Sequence, residues 1–292
     1  MKTAIILGLG IGQQVYLKVL NELKFTIDTV DTDVKKTATF KSVQDVNKRY
    51  RLAIIATPNY THFDIADQVA KLADIVLVEK PGVLNSDQWQ QLIDQNPNTR
   101  IMMIKNNQYR SQIWNFRDYA KQAKLVEVRW KNNQRIPHPG SWFTNKDLAF
   151  GGVSRDLMPH MLSYFTALTD YNTATLVKNE CRQNWQLDQI KHTNYGIINK
   201  NGIYNVDDLS YLEYQVGPSI WKLTADWDAG IDDIGIYFDG IKHELGLCPE
   251  VAYGGMIITA LAMTLQSGDE WWQEQLKQDI FIHKQLEILN AG

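Results

Sequence analysis

The chain has 292 residues, with 30 Lys+Arg against 33 Asp+Glu and a formal net charge of −3. Charge this close to balance excludes the basic surplus of a nucleic-acid binder, and 44% hydrophobic residues exclude a disordered polypeptide. Two cysteines, Cys181 and Cys248, are too few for a disulfide framework and point to a reducing cytoplasm.

In chain order, residues 3–9 form a short apolar run that ends in glycines and predicts a first strand. The run is too short for an export signal, no small-x-small site follows, and Gln13-Gln14 arrives at once. Residues 14–23 place Val15, Val19, Leu20 and Leu23 on one helical face. Strands are predicted at 26–31 and at 52–56, the latter stopped by Pro58. A helix follows at 62–72, then a strand at 75–78 closed by Pro81, a helix at 86–93 with Ser86 as its cap, and a fifth strand at 100–104. Continuous apolar runs alternating with helices mean strands buried on both faces, hence a parallel sheet.

The period changes past residue 118. Residues 125–130 alternate apolar and polar, and residues 209–216 put Leu212, Tyr214 and Val216 on one face. Residues 220–227 do the same with Trp221, Leu223, Ala225 and Trp227, and 234–241 reads as a further strand. A period of two predicts an antiparallel sheet with one covered face. One helix at 154–168 interrupts it, and helices at 251–266 and 271–289 close the chain. Residues 251–268 carry no formal charge, but Gly254, Gly255, Thr259, Thr264 and Gln266 dilute them, so they read as a buried helix and not a membrane span. The fold class is therefore α/β: a doubly wound parallel-sheet domain at 1–117, then an α+β domain at 118–292 with a mostly antiparallel sheet.

Gly8-Leu9-Gly10-Ile11-Gly12-Gln13 comes after the first strand and opens the first helix, the context of a dinucleotide fingerprint. Gly8 permits the tight turn, and Gly10 lets the backbone approach a pyrophosphate at the helix N-terminus. The sixth position is Gln13 where Gly or Ala is usual; Gly12 is its nearest substitute. The alternative is a glycine-rich turn without a ligand. Asp31 lies about twenty residues after Gly10, where an acid bonds a ribose 2′-hydroxyl and repels a 2′-phosphate. This favours NAD over NADP, while Asp33 competes for the role and Lys35-Lys36 leave room for a phosphate.

Three further segments carry a pattern: Thr57-Pro58-Asn59-Tyr60-Thr61-His62, Glu79-Lys80-Pro81, and Gly151-Gly152 with Asp156 and His160. In this order they resemble the Gfo/Idh/MocA (glucose–fructose oxidoreductase / inositol dehydrogenase) family over nearly the whole chain. The resemblance implies a Rossmann domain, a C-terminal domain with a large open sheet, and NAD(P)-dependent oxidation or reduction of sugars, inositols or polyols. It implies that Thr57, Pro58, Asn59 and His62 line the nicotinamide side and that Glu79, Lys80 and Pro81 border the cofactor, with a cis Lys80–Pro81 bond. It also implies that Asn107, Tyr109 and Arg110 contact substrate and that Trp142 covers a sugar face. Phe150, Met158 and Ser163 depart from the family pattern, where glycine, a small residue and an acid are frequent.

The chemistry is arguable from the residues. Hydride transfer from an alcohol needs a base for the hydroxyl proton, because nicotinamide takes only the hydride. His160 has the intrinsic pKa for that task. Asp156, four residues earlier, shares one helical face with it and orients the imidazole or bonds a second hydroxyl. Lys80 is a fixed cation that holds the reacting oxygen, or, with its pKa lowered by burial, transfers the proton itself. Asp156/His160 as a surface pair or cap, and Lys80 as a loop lysine, are the plain alternatives. The competing functions are a non-catalytic NAD(P)-binding sensor and a reductase of C=N or conjugated bonds.

A metal is not expected, since six histidines are scattered and neither cysteine lies in a ligand-spaced cluster. The expected partner is a carbohydrate-like small molecule, with no nucleic acid and no membrane. The Trp221/Leu223/Trp227 face and the family resemblance suggest a homodimer or homotetramer through the C-terminal sheet.

Overall fold

The structure is a computed structural model that describes residues 2–10, 13–243 and 249–290. In chain order the elements are β1 (Thr3–Leu7), α1 (Gln13–Glu22), β2 (Thr26–Val30), β3 (Tyr50–Ile55), α2 (His62–Ala70), β4 (Ala73–Val78), α3 (Ser86–Gln95), β5 (Arg100–Met103), α4 (Ile113–Gln122), β6 (Leu125–Lys131), α5 (Lys146–Ala149), α6 (Val153–Asp156), α7 (Met158–Leu168), β7 (Thr175–Arg182), β8 (Leu209–Val216), β9 (Ser219–Asp226), β10 (Asp233–Phe238), β11 (Ile241–His243), α8 (Pro249–Gln266) and α9 (Asp269–Asn290). They fall into two compact units, Met1–Ile104 with Tyr253–Lys284, and Lys105–Ala252 with Gln285–Gly292. These units do not match the change of strand period near residue 118. Ile257, Leu261 and Trp272 of the closing helices join the core built on Ile6, Leu20, Ile54 and Leu77, so apolar burial assigns most of those helices to the first unit.

The first unit holds a parallel sheet in the order β2-β1-β3-β4-β5. Residues Ala4 to Leu7, Leu52 to Ile55 and Ile75 to Val78 are almost wholly excluded from solvent, as uninterrupted apolar runs in a sheet covered on both faces require. β1 lies between β2 and β3, so the strand order reverses there. In doubly wound sheets a crevice opens at that point, beyond the strands' carboxyl ends. The cap of α3 is Asn85, whose side chain accepts from the Gln88 amide at 2.8 Å. Ser86, the expected cap, is instead the first helical residue.

The second unit holds a sheet in the order β11-β10-β6-β9-β8-β7. Its neighbours run antiparallel except β6 and β9, which are parallel. The expected strand at 234–241 is the hairpin β10–β11, turned by Asp239 and Gly240 with φ of 49° and 84°, the positive values that a two-residue hairpin turn demands. Neither α4 nor β7 has a counterpart among the expected elements.

On one face of this sheet Trp221, Leu223, Ala225 and Trp227 are at most 1% exposed. α7 packs there, with Phe165 stacked on Tyr214 at 4.5 Å and edge-on to Trp221 at 5.5 Å. The apolar face expected to pair with a second copy is therefore filled by the chain's own helix. The other face is charged: Arg129 pairs with Glu127 and Asp233 and lies 4.1 Å over the Tyr237 ring. Among the described residues no helix is long and apolar enough to cross a membrane.

Trp221→Ala opens a large cavity in this core, and a loss of about 3–5 kcal/mol is expected. Urea unfolding should show the loss as a lower midpoint with an unchanged m value.

Candidate active site

One group of candidate site residues lies at strand ends of the first unit. Gly8 ends β1 with φ of 91°, and a Cβ there would lie 2.5 Å from the Ala56 carbonyl oxygen. Only glycine fits both the conformation and the approach. A Cβ at Gly10 would meet nothing within 4 Å, so the backbone beside it is open to a ligand. Ile11 and Gly12 lie outside the described residues. Asp31, just past β2, accepts the Leu9 amide at 2.7 Å and the Asp33 amide at 2.8 Å, and pairs with Lys36 at 3.1 Å. Burial works against its charge, but these N–H groups and the Lys36 ammonium outweigh it and hold its pKa below the ordinary value.

Thr57, Pro58 and Asn59 come after β3, and Glu79, Lys80 and Pro81 after β4, with Lys80–Pro81 cis. His62 is 0% exposed. Its Nδ1 lies 2.6 Å from the Gly82 carbonyl oxygen and its Nε2 2.8 Å from that of Thr57. The imidazole thus bridges the two loops from beneath and is enclosed by backbone, whereas the family resemblance made it a lining residue. Burial lowers its pKa, and the nearby Lys80 ammonium adds to that. His283 grips the same turn: the Val83 amide donates to its Nε2 at 3.1 Å, and Trp89 stacks on its ring at 4.8 Å. Tyr16 donates its hydroxyl to Glu79, and burial raises that carboxyl's pKa.

A second group of candidate residues lies in the second unit. Asp156 and His160 were expected on one helix, but the segment is two helices meeting at Leu157. Pro159 has no N–H to continue the ladder, so the chain breaks where proline dictates. The Leu157 amide closes on Val153 at 2.9 Å and the His160 amide on Leu157 at 3.0 Å. Every residue from Gly151 to His160 is buried except Asp156 and His160. The Trp227 indole N–H donates to Asp156 Oδ2 at 3.0 Å, and Trp130 stacks on the His160 ring at 5.4 Å and 27°.

The start of α6 is built on Asp207, which sequence reasoning missed. Its carboxylate accepts the Gly152 amide at 2.8 Å, the Ser154 amide at 2.7 Å and the Ser154 hydroxyl at 2.9 Å. A Cβ at Gly152 would lie 1.8 Å from the Asp207 carbonyl oxygen. Phe150, where relatives favour glycine, takes φ of 70° as the cap of α5. Arg155 is 2% exposed, and burial pushes its pKa down to about 10.

Of the expected substrate contacts, Asn107 and Arg110 are buried and joined, Arg110 Nε donating to Asn107 Oδ1 at 3.0 Å and the Tyr164 hydroxyl to the same oxygen at 2.9 Å. Tyr109 and Trp142 are half-buried, with Trp142 against Phe143 at 4.2 Å. Among the described residues no group of three His, Cys, Asp or Glu is placed to hold a metal.

Residues 2–103 match the oxidoreductase family Gfo/Idh/MocA, NAD-binding Rossmann fold. The N-terminal part is thus similar to the NAD-binding domain of that family. A relative in Amycolatopsis mediterranei that carries the name UDP-kanosamine synthase oxidoreductase subunit is 26% identical over 176 residues, 54% of this chain and 49% of its own. The chain thus matches about half the length of that curated relative. Among solved structures, GenD2 from gentamicin A biosynthesis, in complex with NAD, has a TM-score of 0.72 at 16% identity, covering 99% of this chain and 94% of its own. Levoglucosan dehydrogenase with NADH and levoglucosan has a TM-score of 0.73 at 13% identity, covering 99% and 97%. The fold shared with these structures therefore extends beyond residues 2–103 over nearly the whole chain.

A cluster beside Trp227 is pH-sensitive. Burial pushes the Asp226 carboxyl up to about 6, and the Asp208 and Asp228 carboxylates add repulsion. A raised folded-state pKa favours folding while the group stays protonated, and that contribution is lost as pH rises through about 6. Asp226→Asn should therefore raise the Tm most at pH 8, less at pH 4.5 and least at pH 3, as calorimetry would show.

Proposed function

We propose that the protein is an NAD-dependent dehydrogenase of a carbohydrate-like alcohol, with Lys80 and His160 handling the oxygen and the proton. One observation carries this reading beyond cofactor binding: in an otherwise buried stretch, only the two side chains suited to proton transfer reach the surface. A non-catalytic sensor has no use for a solvent-accessible Asp/His pair seated on tryptophans.

The open backbone at Gly10, beyond the tight turn at Gly8, fits a pyrophosphate, Asp31 would hold the adenosine ribose, and Thr57, Pro58 and Asn59 would border the nicotinamide side, with Glu79, Lys80 and Pro81. When bound, NAD supplies the hydride acceptor. The chain's own residues supply the rest. His160 takes the hydroxyl proton at an imidazole nitrogen, Asp156 bonds a neighbouring hydroxyl, and the Lys80 ammonium stabilises negative charge on the reacting oxygen. Trp142, half-buried and backed by Phe143, offers an apolar face to a sugar ring. The sugar-directed names of the relatives support the substrate class, and the covered sheet face leaves assembly to other surfaces.

The test combines binding and turnover. NADH should quench tryptophan fluorescence at lower concentration than NADPH; equal or reversed affinities overturn the role of Asp31. A panel of aldoses, inositols and uronates with NAD should yield one oxidised substrate. On it, Lys80→Ala and His160→Ala should each lower kcat about 10²–10⁴-fold, the usual worth of positioned proton transfer. Wild-type rates in both variants overturn the assignment.

A further inference from the structure

Asp156 needs an orienting partner, and its position explains why. It is the last residue of a four-residue helix, immediately before the break at Leu157. A short helix end sets its side chain less firmly than a helix interior does. The indole of Trp227 supplies such a constraint. Its N–H is a donor with no acceptor function, and it reaches Asp156 Oδ2 at 3.0 Å. Trp227 is itself immobile: the side chain is 1% exposed, its amide donates to the Asp208 carbonyl at 3.0 Å, and its carbonyl accepts the Arg135 amide at 3.1 Å. His160, by contrast, is seated by ring stacking on Trp130.

We propose that Trp227 is a positioning residue for the reaction, acting through Asp156 by holding one carboxylate oxygen so that the other faces the substrate. The inference rests on the dehydrogenase reading above. A fixed donor on the trailing oxygen leaves the leading oxygen in one direction, and pre-set geometry of this kind is what supporting residues contribute to an active site. The interaction is a hydrogen bond to an ionised group, the stronger class of neutral-donor contact.

Trp227→Phe keeps the ring and deletes the N–H. It should lower kcat about tenfold, the usual scale of a hydrogen bond to a charged group, with KM changed less than about twofold. Asp156→Ala should lower kcat by at least as much, and adding Trp227→Phe to it should cost less than about a further twofold, because the indole then has nothing to orient. Additive losses, or wild-type kcat in Trp227→Phe while Asp156→Ala is impaired, overturn the inference and leave the dehydrogenase reading standing. Wild-type kcat in Asp156→Ala overturns the role of the dyad itself. A second readout needs no turnover. The indole N–H resonance of Trp227, assigned by its loss in Trp227→Phe, should shift upfield in Asp156→Ala, with hydrogen exchange faster by about tenfold. An unmoved resonance overturns the proposal whatever the kinetics.

Discussion

One carboxylate holds the start of the helix pair that presents Asp156 and His160. A helix leaves its first N–H groups without intrahelical partners, and at Gly152 and Ser154 those groups meet Asp207. The approach is so close that the Gly152 backbone rests on the Asp207 backbone, with Val153 donating to the Asp207 carbonyl at 2.9 Å. Any side chain at Gly152 would force them apart. The paired glycines are thus a packing requirement, and they influence the chemistry only by fixing where α6 begins. Once α6 is fixed, a second helix starts at Met158 with Pro159 in its first turn, and the two candidate side chains emerge on either side of the junction.

The first unit solves a similar problem with imidazoles. Lys80 stands on a turn, not on a strand, and a turn must be held from outside. His62 and His283 reach the Gly82 carbonyl and the Val83 amide. His283 must accept at Nε2, so its Nδ1 carries the proton that meets the Asp279 carbonyl at 2.7 Å. The stack on Trp89 keeps that ring in plane. A histidine near a lysine invites a catalytic reading, yet His62 has no surface with which to perform one. In both units the residues proposed to touch ligand stand at turns or near helix ends, whose rigidity is borrowed from buried polar groups.

How far the residues announced this arrangement depends on the range of the contacts. β1, β3 and β4 were legible because buried apolar runs ended by glycine or proline have few other readings. The Asp156/His160 spacing was legible too, although Pro159 already signalled that one continuous helix could not carry both. α4 had its signal in Ile113, Phe116 and Ala120, which are buried at helical spacing. β7 had none, being an edge strand with residues exposed on both faces and therefore without a period. Asp207 and Trp227 could not be found from local pattern. They lie 53 and 71 residues from the groups they bond, and strand pairing alone brings them there. Packing of α7 likewise filled the tryptophan face that period two had left looking exposed.

Asp31 shows how one side chain serves two masters. In the proposed reading the acid after β2 accepts from a ribose and repels a 2′-phosphate. It also accepts the amide of Leu9, inside the glycine turn, so it shapes the very backbone that would face the pyrophosphate. Lys36 neutralises part of its charge from the solvent side. Replacing Asp31 with a small neutral residue would remove the repulsion and release Lys36 toward a phosphate, but would also leave the Leu9 amide without its acceptor. Cofactor preference and turn geometry are therefore coupled at this position, and a residue that relaxes the first while sparing the second must keep an acceptor oxygen within reach of Leu9.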